Sequence, residues 1–120
     1  MTKVLAVDDS PTIRMLLRAT LTERGYDIVE AEDGIAALEV LAENVPDVVI
    51  TDINMPRLDG FGLIARIREQ GCHSALPILV LTTESSPEKR NKAREAGATG
   101  WIVKPFNPDK LDAAIRRVAA

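Results

Sequence analysis

Five short apolar runs alternate with five amphipathic stretches along the chain, and no other feature limits the possible folds as much. The runs are KVLAV (3–7), DIVEA (27–31), DVVIT (47–51), PILVLT (77–82) and GWIVK (100–104). Each has the length and aliphatic content of a strand. The stretches between them carry helical periodicity. The first shows Ile13, Leu16, Leu17, Thr20 and Leu21 on one stripe, opened by Ser10 as N-cap and Pro11 in the first turn and closed by Gly25. The second runs from Asp33-Gly34 to Asn44, with Leu38, Leu41 and Ala42 on one face. The third follows Asp59-Gly60 and carries Leu63, Ile64 and Ile67. The fourth starts at SSPEK and ends at Gly97; the fifth starts at NPDK and carries Leu111, Ala114, Ile115 and Val118. Gly34, Gly60 and Gly97 read as backbone punctuation.

Strands alternating with helices imply βαβ crossovers and a doubly wound parallel sheet of the α/β class. Strands one, three and four are continuously apolar, as expected when helices cover both faces. Strand two, with Glu30 inside it, reads as an edge. With 120 residues, 46% of them hydrophobic, and no visible linker, one domain spanning 1–120 is expected. A net charge of −3 argues against nucleic acid as the main partner. No segment approaches the roughly 18 apolar residues of a membrane span, and MTKVLAVDD has no signal-peptide design. A single cysteine, Cys72, excludes an internal disulfide and fits a cytoplasmic setting. Cys72 and His73 lie in EQGCHSALP with no second ligand nearby in sequence, so no metal site is expected there.

In an open parallel sheet, function collects at the carboxyl ends of the strands. Strand one ends in Asp8 and Asp9, strand three in Asp52, strand four in Thr82 and strand five in Lys104. Two carboxylates about 5 Å apart repel by roughly 3 kcal/mol at an effective dielectric near 20. Three together call for a cation, and Lys104 neutralises only part. A hard divalent ion suits the remainder, and Mg²⁺ fits because it accepts few protein carboxylates and keeps room for phosphate oxygens. A carboxylate can itself attack phosphorus to give an aspartyl phosphate. The metal and lysine would balance the developing oxygen charge, and Thr82 offers a hydroxyl donor.

The motifs VDDS, TDINMPRLDG, LTTE and VKPF, all in order and on the expected strands, make the chain similar to the receiver domain of two-component response regulators. The resemblance covers essentially the whole sequence. It implies the flavodoxin-like (βα)5 fold with strand order 2-1-3-4-5, an order for which such a chemotaxis regulator is the standing example. It implies that Asp52 is the phosphoacceptor and that Asp8 and Asp9 hold Mg²⁺ with the Asn54 backbone carbonyl. Thr82 and Lys104 would sense the phosphate, and Trp101 would occupy the switch-aromatic position. Asn54 and Glu84 would tune hydrolysis, and Thr83, where a smaller residue is frequent, would crowd the phosphoryl group and slow turnover. The Lys104–Pro105 bond is usually cis in the family. The fifth helix ends the chain, so the nearest resemblance is to stand-alone chemotaxis regulators of the CheY type. That implies a monomeric switch, not an enzyme. A sensor histidine kinase of the CheA type or a phosphotransfer protein would supply phosphate. A protein such as a flagellar motor switch would bind the helix 4–strand 5–helix 5 surface.

Each of these residues has a plainer reading. Asp9 alone could help start helix one, Asp59-Gly60 reads as turn and cap, Lys104 could be solvated, and Trp101 could be core packing. Helix four, EKRNKAREAGA, offers only Ala93 and Ala96 for burial; it is either a solvated surface helix or a weakly held element that shifts and docks on partners. Three rival functions stand beside the switch. A haloacid dehalogenase-type phosphatase would use the same groups, but its D-x-D on strand one is replaced by DDS. A flavodoxin-like redox module would need a Ser/Thr-rich first loop. A receiver excised from a longer regulator would show the same sequence.

Overall fold

The computed structural model describes residues 2–70 and 75–119. Cys72 and His73 lie outside the described residues. The strands are β1 (Lys3–Val7), β2 (Asp27–Ala31), β3 (Val48–Thr51), β4 (Ile78–Thr82) and β5 (Gly100–Val103). The helices are α1 (Pro11–Glu23), α2 (Gly34–Glu43), α3 (Gly60–Glu69), α4 (Pro87–Ala96) and α5 (Pro108–Ala119). All strand pairs are parallel, in the order β2-β1-β3-β4-β5. This is the flavodoxin-like order, with β2 on an edge as its Glu30 suggests.

Helix starts follow local chemistry. The side chains of Ser10, Asp33, Asp59 and Ser86 each accept a hydrogen bond from a backbone N–H in the first turn of α1, α2, α3 and α4. Gly97 ends α4 at φ 117°, a left-handed cap that a side chain would strain.

Alternation along the strands sorts side chains into two cores. Leu5, Val7, Val49, Ile78 and Val80 face Leu41 of α2, Leu63, Ile64 and Ile67 of α3, and Ala93 of α4. Val4, Ala6, Val48, Ile50, Leu79 and Leu81 face Leu17 and Leu21 of α1 and Leu111 and Ile115 of α5. Truncating one fully buried leucine of this kind costs about 2–5 kcal/mol, so the sheet is a rigid base for its loops.

Several sequence expectations need correction. Leu16 is 49% exposed and Ala42 is exposed, because the true buried stripes run through Leu17–Leu21 and Ala37–Leu41. Leu16 instead borders an open apolar groove of about 240 Å³ with Ile13, Pro105 and Phe106. Asp47, Pro77 and Lys104 lie just outside the strands assigned to them. Gly60 is more than punctuation. A Cβ there would stand 2.3 Å from the carbonyl oxygen of Asp52, so α3 can start against this segment only without a side chain.

Candidate functional site

The strand register puts the acidic residues side by side. Val7 pairs with Thr51, so β1 and β3 end level, while Thr51 pairs with Val80, so β4 runs two residues further, to Thr82. Backbone bonds carry the alignment one residue further: Asp8 N–H donates to Ala31, Asp52 N–H to Val7 and Lys104 N–H to Thr82. Asp8, Asp52 and Lys104 thus leave the sheet on fixed backbone, although they are distant in sequence.

Carboxylate oxygens of Asp8, Asp9 and Asp52 lie within 4.8 Å of one another. Asp8 is buried, Asp52 half-buried and Asp9 exposed. The Lys104 ammonium bridges the two inner acids, 2.8 Å from Asp8 Oδ2 and 2.9 Å from Asp52 Oδ2. Burial alone would lower the pKa of Lys104; the hydrogen bonds and charges of Asp8 and Asp52 outweigh it and raise it above the ordinary 10.5. The lysine is therefore a fixed positive charge at neutral pH. The remaining oxygens are also held: Asp8 Oδ1 accepts from Ser10 N–H at 2.9 Å and Asp52 Oδ1 from Ile53 N–H at 2.6 Å. Three carboxylates with one ammonium leave an excess of negative oxygen open to solvent at Asp9. That donor set fits a hard divalent cation and is poor for a soft one.

Thr82 ends β4, fully buried, and its Oγ1 accepts the backbone N–H of Glu84 at 3.3 Å. Trp101 donates its indole N–H to the Glu84 carbonyl at 3.2 Å. Lys89 of α4 contacts the Glu84 carboxylate at 2.9 Å. Lys89 first, and Asn54 in the same direction, hold that carboxyl below its ordinary value. Trp101 packs on the α2–α4 side of the sheet and Ile102 on the other. Asn54 and Thr83 are both exposed at the rim. The Lys104–Pro105 bond is cis.

Three features escape a reading of the sequence. Arg14 donates to the Asp8 carbonyl and pairs with Glu30 at 3.3 Å, closing one wall. Arg57, at φ 64°, grips Asp33 through both carboxylate oxygens at 2.7 and 3.0 Å. This fork ties the loop after β3, which carries Asn54, to the start of α2. Glu84 is a junction, touching Thr82, Trp101 and α4 at once. Arg57 lies within a quoted motif, but nothing in that motif names a partner 24 residues away.

Comparison with known proteins agrees with this geometry. A family model described as "Response regulator receiver domain" matches residues 4–116. A "Probable transcriptional regulator ycf27" of Guillardia theta is 45% identical over 97% of this chain and 44% of its own length. The chain spans about half the length, or less, of the curated relatives it matches. Among solved structures, the chemotaxis protein CheY4 of Vibrio cholerae is 47% identical, with TM-score 0.94 and 98% of each chain covered. The receiver domain of sensor histidine kinase PA1611 from Pseudomonas aeruginosa, with a magnesium ion coordinated in its active site cleft, is 28% identical, with TM-score 0.91 and 98% and 97% covered.

Proposed function

The chain belongs to the response regulator receiver family, and on that premise we propose that residues 1–120 act as one phosphorylated switch with Asp52 as the phosphoacceptor. The observation that carries this reading is the Lys104 ammonium held between Asp8 and Asp52, beside the third carboxylate of Asp9.

In the proposed reaction an Asp52 carboxylate oxygen attacks the phosphorus of a phosphohistidine on a sensor histidine kinase or phosphotransfer protein. The phosphorus–nitrogen bond breaks, and the imidazole nitrogen keeps the electron pair. Lys104 is already charged and in place to offset the negative charge on the phosphoryl oxygens. Asp8, Asp9 and Asp52, with the Asn54 backbone carbonyl, would hold Mg²⁺, which supplies further charge neutralisation when bound. Thr82 then donates its hydroxyl to a phosphoryl oxygen. Because Glu84 is bonded to both Thr82 and Trp101, movement of Thr82 disturbs the indole and the start of α4. Asn54, Thr83 and Glu84 would tune hydrolysis, with exposed Thr83 slowing it.

The likeness to CheY4 favours a chemotaxis role with a target such as a flagellar motor switch. The partial match to longer regulators favours the second reading, a receiver within a transcription factor. Among the described residues no helix is long and apolar enough to cross a membrane. A cytoplasmic, monomeric protein without nucleic-acid contact of its own is the reading we adopt. Treatment with acetyl phosphate and Mg²⁺, followed by mass spectrometry of the adduct, tests the core of it. Label on Asp52 that disappears in Asp52→Asn and under chelation is expected. Stoichiometric label elsewhere, or full labelling without metal, would refute it.

A further inference from the structure

Among the described residues Arg57 is the one non-glycine position with a positive φ, 64°. The Leu58 N–H donates to the Pro56 carbonyl at 2.7 Å, which closes a three-residue γ-turn around it. Such a turn is strained for a residue with a side chain, and glycine or asparagine would fit its backbone better. The arginine side chain supplies the reason for its presence. Its Nε and Nη2 reach both oxygens of Asp33, whose side chain is 4% exposed and caps α2 through the Ala36 N–H at 2.8 Å. Arg57 first, then the Ala36 N–H, hold that carboxyl below its ordinary 3.8, so the fork is an ion pair at neutral pH. The backbone is fitted to the same place: Gly34 N–H donates to the Leu58 carbonyl at 3.1 Å, and a Cβ on Gly34 would stand 2.6 Å from that oxygen. On the other side Gly60 N–H donates to the Ile53 carbonyl at 2.8 Å. Asn54 and Met55 span the gap between that anchor and the turn, so their backbone has little freedom while the turn is clamped.

We infer that Arg57 is a positioning residue for the metal: its fork to Asp33 clamps the strained turn, and the clamped turn fixes the backbone that presents the Asn54 carbonyl to Mg²⁺. The inference rests on the proposed switch, in which that carbonyl joins Asp8, Asp9 and Asp52 around the ion. The three carboxylates are placed by the ends of β1 and β3. The neutral ligand is carried by a loop, and a loop needs a restraint of its own. Mg²⁺ demands near-octahedral geometry and tolerates a wandering ligand poorly. A turn of unfavourable backbone persists only where its surroundings hold it, and Arg57 holds this one to the first turn of α2. Loop closure alone would be served as well by asparagine at position 57, without strain and without the fork.

The test compares the full chain with Arg57→Asn, which accepts the left-handed turn but cannot fork to Asp33. Calorimetric titration with magnesium chloride gives the affinity, and urea unfolding gives the stability. Amide hydrogen exchange in the metal-free protein reports on the loop. Arg57→Asn should weaken Mg²⁺ binding by about tenfold, the low end of what loss of an outer partner does to a metal site, and should speed exchange at Asn54 and Met55. Stability should change little, because relief of the turn offsets the lost pair. Arg57→Lys keeps the charge without the planar fork and should recover part of the affinity. Asp33→Asn keeps the cap and should weaken Mg²⁺ as Arg57→Asn does, and the double variant should bind no more weakly than either single one. Parent-like affinity in Arg57→Asn, with or without a loss of stability, would overturn the inference, as would a fall in affinity that Asp33→Asn does not share. An Asp9→Asn control separates this outcome from failure of the wider reading. Mg²⁺ binding that persists unchanged in that control, or none in the parent, would sink the metal site itself and the inference with it.

Discussion

Trp101 donates its indole N–H to the backbone carbonyl of Glu84 at 3.2 Å, so the only tryptophan is fastened to the loop that leaves Thr82. The Glu84 N–H meets the Thr82 hydroxyl at 3.3 Å, which makes one peptide segment the link between the acidic pocket and the β5 surface. A phosphoryl group on Asp52 that draws in Thr82 must disturb this bond and shift the population of indole positions. Mg²⁺ alone should change tryptophan emission little; beryllofluoride added next should change it more and reduce acrylamide quenching. Unchanged emission and quenching in a fully labelled sample would leave Trp101 as packing alone.

Thr82→Ala should accept phosphate on Asp52 yet lose the second fluorescence step, because the hydroxyl that joins the phosphoryl group to Glu84 is gone. The buried site should lose about 1–2 kcal/mol of stability. Lys104→Arg should behave similarly, keeping the charge but changing reach and geometry. Phosphoprotein yield and emission are measured on the same samples. A parallel fall of both in Thr82→Ala would assign the hydroxyl to the chemistry.

Removing the lysine charge altogether should have the opposite effect on metal. Lys104 Nζ sits within 2.9 Å of both inner carboxylates and repels any cation they hold. Lys104→Met should therefore bind Mg²⁺ about tenfold more tightly while labelling of Asp52 falls sharply. Calorimetric titration gives the affinity. No gain in affinity would mean that the lysine and the metal do not share this pocket.

Gly60→Ala introduces a methyl 2.3 Å from the Asp52 carbonyl oxygen, a position that only a backbone shift relieves. The expected cost is about 1–3 kcal/mol, with slower phosphorylation because the displaced backbone carries Asp52. Gly25→Ala is the control at φ 89°, with nothing within 4 Å of the new methyl and no contact with the site. Chemical denaturation and acetyl phosphate labelling are compared for the two. If both variants lose stability yet label like the parent, the close approach is structural only.

Tyr26 donates its phenol hydrogen to buried Asp112 of α5, and Arg116 and Arg24 reach the same carboxylate. Burial first, then Asp112, holds the phenol above its ordinary 10.0, while the Tyr26 bond holds the Asp112 carboxyl below its ordinary 3.8. A raised phenol stabilises the fold below its unfolded pKa and stops doing so as pH climbs through the folded value. A depressed carboxyl stabilises above its unfolded pKa and stops as pH drops through the folded one. The pair is at full strength between about pH 5 and pH 9. Tyr26→Phe should lower stability by about 1–2 kcal/mol at pH 7, and the gap to the parent should narrow at either extreme. Urea unfolding across pH checks this; equal midpoints at pH 7 would show that the bond contributes nothing net.

The alternation of apolar runs with helical stripes, the caps at Ser10, Asp33, Asp59 and Ser86, and the acids at the strand ends are all local patterns. Strand and helix periods and first-turn hydrogen bonds are set within a few residues, so fold class and the placement of Asp8, Asp9, Asp52, Thr82 and Lys104 were legible in the sequence. The roll of each helix was not, because it depends on what the neighbouring elements present; this is why Leu17 is buried while Leu16 and Ala42 face solvent. Lys104 reaches Asp8 across 96 residues, Arg57 reaches Asp33 across 24 and Tyr26 reaches Asp112 across 86. No periodicity links such pairs. Only the assembled sheet, which fixes where each loop leaves it, decides which charges meet.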